Sequence, residues 1–143
     1  MAQGNPFTIG RDCQVVFLYN GGRIDLPKVT LFTSSPEYKT VRSDPLNDDP
    51  TEINTPSGHR LRIEVDRFGA VVDDLFVSIE SAFWNAGTIG SGTVYAYIAE
   101  VDGSLSTYEY TKVSPKLTNG GQYQQENKVT QTIEGFASRK NKL

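Results

Sequence analysis

Few residues in this chain could do chemistry. There is one histidine, His59, and one cysteine, Cys13. A Ser-His-Asp or Cys-His arrangement would have to use His59, which stands between Gly58 and Arg60 and reads as a solvated loop residue. One histidine and one cysteine cannot supply the three or four nitrogen or sulfur ligands of a zinc site. Cys13 opens the apolar run Cys13-Gln-Val-Val-Phe-Leu-Tyr19, so a buried small hydrophobe is expected rather than a reactive thiol. A lone cysteine also excludes an intramolecular disulfide and fits folding in a reducing cytoplasm.

Carboxylates cluster once, in Asp44-Pro-Leu-Asn-Asp48-Asp49-Pro-Thr-Glu52. Calcium uses carboxylates spaced along a loop, but the EF-hand spacing is missing and prolines interrupt the wrap. A solvated or inter-subunit role is the better reading. Gly87-Thr-Ile-Gly90-Ser-Gly92 lacks the Lys-Ser/Thr of a phosphate-binding loop and follows a helical pattern instead of preceding one. Phe83 and Trp84 read as core residues. Tyr95, Tyr97, Tyr108 and Tyr110 fall on two strands that look like hairpin partners, where cross-strand aromatic pairs stabilise a sheet by themselves. No catalytic residue, metal ligand or cofactor is expected.

The elements that would position these residues are mostly strands. Residues 60–66 alternate strictly, with Leu61, Ile63 and Val65 on one face and Arg60, Arg62, Glu64 and Asp66 on the other. Residues 15–19, Asn20-Gly21-Gly22 and residues 23–32 predict a β-hairpin, with Pro27 at a bulge or edge because it has no amide donor. Residues 93–101, the Asp102-Gly103 turn and residues 105–113 predict a second hairpin. Residues 129–137 predict a strand with Val129, Ile133 and Ala137 on one face and Thr130, Thr132 and Glu134 on the other. Val72, Leu75, Phe76, Ile79 and Phe83 draw one stripe on a helix. Asp73 and Asp74 stand where they could cap its start, and Asn85 and Gly87 where they could stop it.

Two stretches carry hardly any apolar side chains. Residues 43–59 predict a projecting loop, and residues 114–128 a second long connection. About six strands and one helix imply a mainly β chain, with two packed antiparallel sheets, as a β-sandwich or small barrel, and a helix against them. The 143 residues suit one domain, residues 1–143.

Composition narrows the function class. Fourteen basic against seventeen acidic residues give a net charge of −3, without the basic excess of a phosphate-gripping protein. No apolar run approaches the length that spans a bilayer, and the first ten residues lack the pattern of a signal peptide. A soluble chain made in the cytoplasm, with no membrane partner, is expected.

The order of these segments resembles the tail tube proteins of tailed bacteriophages across nearly the whole chain. The N-terminal hairpin, a long polar segment and a strand entering a helix (Ile63-Glu-Val-Asp-Arg-Phe68, then Asp73-Asp-Leu-Phe76) come first. Gly92-Thr-Val-Tyr-Ala-Tyr97, Tyr108-Glu-Tyr110-Thr-Lys-Val113, Gly121-Gln-Tyr123 and the closing Val129-Thr-Gln131-Thr-Ile133-Glu-Gly-Phe136-Ala-Ser138 resemble the family's C-terminal half. The family shares its fold with the tubes of type VI secretion and other contractile injection systems.

The resemblance implies a structural protein and not an enzyme. Six subunits would form a ring, rings would stack into the virion tail tube, and double-stranded DNA would pass through without specific binding. Tape measure, sheath or other tail proteins would be partners, with assembly in the host cytoplasm. About 24 strands spaced roughly 4.8 Å and tilted near 40° close a circle roughly 50 Å across, wide enough for a duplex. Glu64, Asp66, Thr130, Thr132 and Glu134 would then face the lumen with few lysines or arginines beside them, although Arg60 and Arg62 share the face of Glu64. Asp44, Asp48, Asp49 and Glu52 would make contacts between rings. The alternatives are a tube subunit of a secretion-type contractile device and a carbohydrate- or ligand-binding β-sandwich using the tyrosines.

Overall fold

A computed structural model describes residues 6–24, 26 and 28–143. In chain order the elements are β1 (Cys13–Tyr19), β2 (Gly22–Ile24), β3 (Val29–Ser43), β4 (Thr51–Asp66), α1 (Val71–Ala86), β5 (Gly92–Ala99), β6 (Leu105–Asn119), β7 (Thr130–Ala137) and β8 (Arg139–Lys142). The first hairpin turns as its residues dictate. Asn20 and Gly21 both adopt positive φ, 51° and 80°, and Tyr19 pairs with Gly22 across them. The return strand is shorter than the sequence suggests. Among the described residues Gly22–Ile24 pair with β1, and from Val29 the chain pairs with β4. Pro27 lies outside the described residues.

All pairings are antiparallel and run in the order β2-β1-β5-β6-β7-β4-β3, with β8 also on β6. β8 continues β7 along β6 in one register: Phe136 faces Ser114, Arg139 faces Thr111, and the Ser138 amide donates to the Thr111 carbonyl at 2.9 Å. Among the described residues the chain is thus mainly β, with one α-helix and a single 3-10 turn at Gly10–Asp12. Its two packed layers are the halves of one continuous eight-stranded sheet folded back on itself. Val15 of β1 packs on the cluster of Ile63, Val65 and Ile133, although β1 and β4 are far apart in the strand order.

Period-2 alternation explains the layering. Leu61, Ile63 and Val65 of β4, Val94 and Ala96 of β5, and Ile133 and Ala137 of β7 are buried between the halves. Each large side chain among them contributes roughly 1.5–3 kcal/mol. Helix α1 adds buried Val72 and Leu75, with Phe76 and Ile79 half-buried. It ends at Gly87, which takes φ 67° and donates its amide to the Phe83 carbonyl at 2.8 Å.

Four expectations change. The stripe leaves the core before the helix ends: Phe83 is 44% and Trp84 73% exposed, packed edge-to-face on each other at 5.2 Å. The helix N-cap is Ala70 without a side-chain bond, so neither Asp73 nor Asp74 caps. β6 runs on to Asn119, which shortens the second connection, because its outer half finds β7 as a partner. Residues 43–59 are not a loop either, since β3 ends at Ser43 and β4 starts at Thr51. Both faces of that hairpin meet water, so its sequence carries no apolar alternation to announce it.

Candidate assembly surfaces

The register of β4 against β7 sets Glu64 opposite Thr132, Asp66 opposite Thr130 and Arg62 opposite Glu134. Glu64, Asp66, Thr130, Thr132 and Glu134 therefore share one outward face. Basic side chains are interleaved with them, contrary to the expectation of few. Arg62 lies 3.4 Å from both Glu64 Oε2 and Glu134 Oε1, Lys128 Nζ is 3.4 Å from Asp66 Oδ1, and Lys116 is the β6 neighbour of Glu134. Carboxylates on neighbouring strands repel, and an arginine between them relieves this. Each such exposed pair contributes about 0–1 kcal/mol, so the face is held near neutrality more than it is stabilised. The Thr130 hydroxyl donates to Asp66 Oδ1 at 3.5 Å. Thr132 is only 4% exposed.

The second surface is an arm. β4 loses its β7 partner at His59, and beyond Glu37 and Gly58 the β3–β4 hairpin pairs only with itself. Gly58 marks the exit, with φ 125° and the Phe136 ring where a Cβ would stand. Arg60 lies 4.9 Å over that ring and 3.3 Å from Glu37. Asp44, Asp48 and Asp49 sit in the tip at residues 44–50, while Glu52 is on β4 opposite Arg42. Arg42 pairs with Asp44 at 3.2 Å, and the Asp48 carboxylate accepts the Asp49 amide at 2.8 Å. Among the described residues no three His, Cys, Asp or Glu side chains gather around a possible metal position. Tyr38, Val41, Leu46 and Ile53 are exposed along the arm, with Val41 directly opposite Ile53.

His59 is a strand residue, not a loop one. It faces inward opposite Ala137 and meets Tyr110 edge-on at 6.0 Å, with its Nδ1 buried and without a hydrogen-bond partner. Burial, and then Lys140, hold its pKa below the ordinary histidine value. Cys13 is half-buried against the core as expected, and burial pushes its thiol up. The four tyrosines do not form one platform. Tyr95 and Tyr97 stack on the outer face 6.4 Å apart, where the Tyr95 hydroxyl donates to Glu109 at 2.9 Å, whereas Tyr110 is in the core beside half-buried Tyr108.

Sequence reasoning missed Gln131, which has no exposed surface and donates through Nε2 to Asp73 Oδ1 at 2.8 Å and to the Gly120 carbonyl at 3.1 Å. Asp73 Oδ2 receives Arg67 at 2.9–3.0 Å, which raises the guanidinium pKa. The signal was a polar residue at an apolar-parity position, between Val129 and Ile133.

No family model and no curated relative matches the sequence. Solved structures do. A chain of the sheath–tube complex of an extracellular contractile injection system, PVC, in its extended state aligns over 99% of this chain and 93% of its own, with TM-score 0.70 and 11% identity. A chain of the anti-feeding prophage cap, its tube-terminating cap, aligns over 100% and 94%, with TM-score 0.68 and 10% identity. One from the anti-feeding prophage baseplate aligns over 99% and 97%, with TM-score 0.64 and 14% identity. The fold is one used in contractile injection systems. At these identities the likeness is one of fold, and it spans both β layers, the helix and the arm. No helix among the described residues is long and apolar enough to cross a membrane.

Proposed function

We propose that this chain is a structural subunit of a tail-like tube and acts by assembling with copies of itself. The observation that carries the reading is the fold match, end to end, to chains of a sheath–tube complex and a tube-terminating cap. The strand order supports it. The sheet ends in β2 at one margin and β3 at the other, and open margins of a β protein are hazards that ring closure removes.

In its finer form the reading is a ring of six, stacked into the tail tube of a phage and conducting double-stranded DNA. Glu64, Asp66, Thr130 and Glu134 would line the conduit, with Thr132 beneath them. The interleaved arginine and carboxylates suit a wall that must let phosphates slide past, since a basic wall would hold them. Asp44, Asp48, Asp49 and Glu52 on the arm would reach a neighbouring ring, and sheath, tape measure or other tail proteins would be partners in a virion tail assembled in the host cytoplasm. A second reading, the tube of a contractile injection device, is favoured by the systems from which the similar structures come. Electron microscopy of the purified protein tests the shared claim, and DNA content of tubes isolated from the producing cells separates the two.

A further inference from the structure

Asparagine followed by glycine occurs twice, at Asn20-Gly21 and Asn119-Gly120. In such a pair the glycine amide nitrogen can attack the asparagine Cγ, because no Cβ shields it. The two pairs sit in opposite surroundings. Asn20 and Gly21 form the tight turn of the first hairpin, with φ of 51° and 80°. The Asn20 amide donates to the Ser91 carbonyl at 3.4 Å. Its carboxamide oxygen is lodged against Gly90, where a Cβ would stand 2.3 Å from it. Closing a five-membered imide ring requires the chain to leave this left-handed conformation, so the turn must open first.

Asn119 is the last residue of β6, exposed, and stands past a bulge that follows Leu117. Two glycines come next. Among the described residues the Gly120 amide makes no backbone hydrogen bond, so its nitrogen is available for attack. The Gly121 amide donates to Asn119 Oδ1 at 3.0 Å. That bond polarises the side-chain carbonyl and would stabilise the oxyanion formed on it. Asn119 pairs with Thr132, which in turn pairs with Glu64, so it extends that row of the outward polar face. With Lys128 and Thr130 it lines one depression.

We infer that Asn119 is a self-modification site, at which the chain converts a neutral amide into a carboxylate as it ages. The Gly120 nitrogen gives up its proton and bonds to Asn119 Cγ, and the side-chain nitrogen leaves as ammonia. Water then opens the imide at one carbonyl or the other. The products are aspartate in the original backbone and isoaspartate, whose backbone is longer by a methylene. Either one adds a negative charge to the outward face beside Lys128. Isoaspartate also displaces the Gly120 carbonyl, which accepts Gln131 Nε2 at 3.1 Å. The chemistry stands without the tube reading; within that reading, the charge of the channel wall would grow with age.

Mass spectrometry of tryptic peptides tests it with an internal comparison. Residues 117–128 carry Asn119 and residues 12–23 carry Asn20, and fragment ions separate Asn119 from Asn127. When the folded full chain is incubated at mildly alkaline pH, Asn119 should become acid about fivefold or more faster than Asn20. In urea the two rates should converge. Equal rates in the folded chain, faster conversion at Asn20, or no conversion at all would overturn the inference. Gly120→Ala is the second test. A Cβ there would meet Leu117 Cδ2 at an ordinary 3.7 Å, so the circular dichroism melt should be kept while conversion at Asn119 slows about tenfold or more. Unchanged conversion in this variant would assign the reaction to direct hydrolysis by water and sink the attack by Gly120.

Discussion

Gln131 of β7 hands one amide hydrogen to Asp73 of α1 across 2.8 Å, which fastens the helix to the folded sheet. Asp73 spends its other oxygen on Arg67, just beyond β4. One carboxylate thus joins β7, α1 and the exit of β4.

Asp73→Ala should lower stability by about 1–3 kcal/mol, because it strands a buried amide donor. Adding Gln131→Leu should return part of the loss, since the stranded donor goes with it, while the Gly120 carbonyl and Arg67 stay without the partners they had. Urea denaturation below the assembly concentration measures both.

His59 should make the fold acid-sensitive. Its folded pKa is depressed by burial and then by Lys140, so the unfolded chain binds the proton more readily. The contribution of His59 to stability should be complete above the ordinary value of 6.5 and be lost as pH falls from there through the depressed folded value. His59→Phe keeps the edge contact with Tyr110 and should flatten that part of the pH–stability curve. An unchanged slope would assign the acid sensitivity to other groups.

The arm should be dispensable for folding and needed for stacking. Replacing residues 40–54 by Asn-Gly joins Lys39 to Thr55, which already pair, with a two-residue hairpin turn. No core side chain is removed. The thermal midpoint should stay within a few degrees while sedimentable stacks disappear, as velocity sedimentation will read. Normal stacks would make the arm a solvated insertion.

The charge of the outward β4–β7 face can be inverted. Glu64→Lys with Glu134→Lys surrounds Arg62 with like charges at a cost of about 1 kcal/mol or less for exposed groups. Assembled tubes of this variant should retain DNA at low salt and release it as salt rises. Tubes with wild-type DNA affinity would place these residues away from the conduit.

Strand β4 from Arg60 to Asp66, the Asn20-Gly21 turn and the Asp102-Gly103 turn were legible, because burial on one face and positive φ leave direct marks on residue choice. The arm was not. Thr51, Ile53 and Thr55 offered a β-branched hint, but with solvent on both faces nothing enforced alternation. Trp84 and Phe83 misled because a helical stripe does not reveal where the sheet beneath it ends. The polar face was legible residue by residue, since Glu64, Asp66 and Thr130 follow from parity alone. Its balance by Arg62 and Lys116 required the register between strands. The Asp73–Gln131 bond joins residues 58 apart in sequence, a distance over which local pattern carries no information.

Self-assembly is the central claim, and negative-stain electron microscopy of the purified chain across a concentration series tests it most directly. The account predicts sixfold rings that stack into tubes with an open channel. A compact monomer that persists at high concentration, by microscopy and light scattering alike, would contradict it.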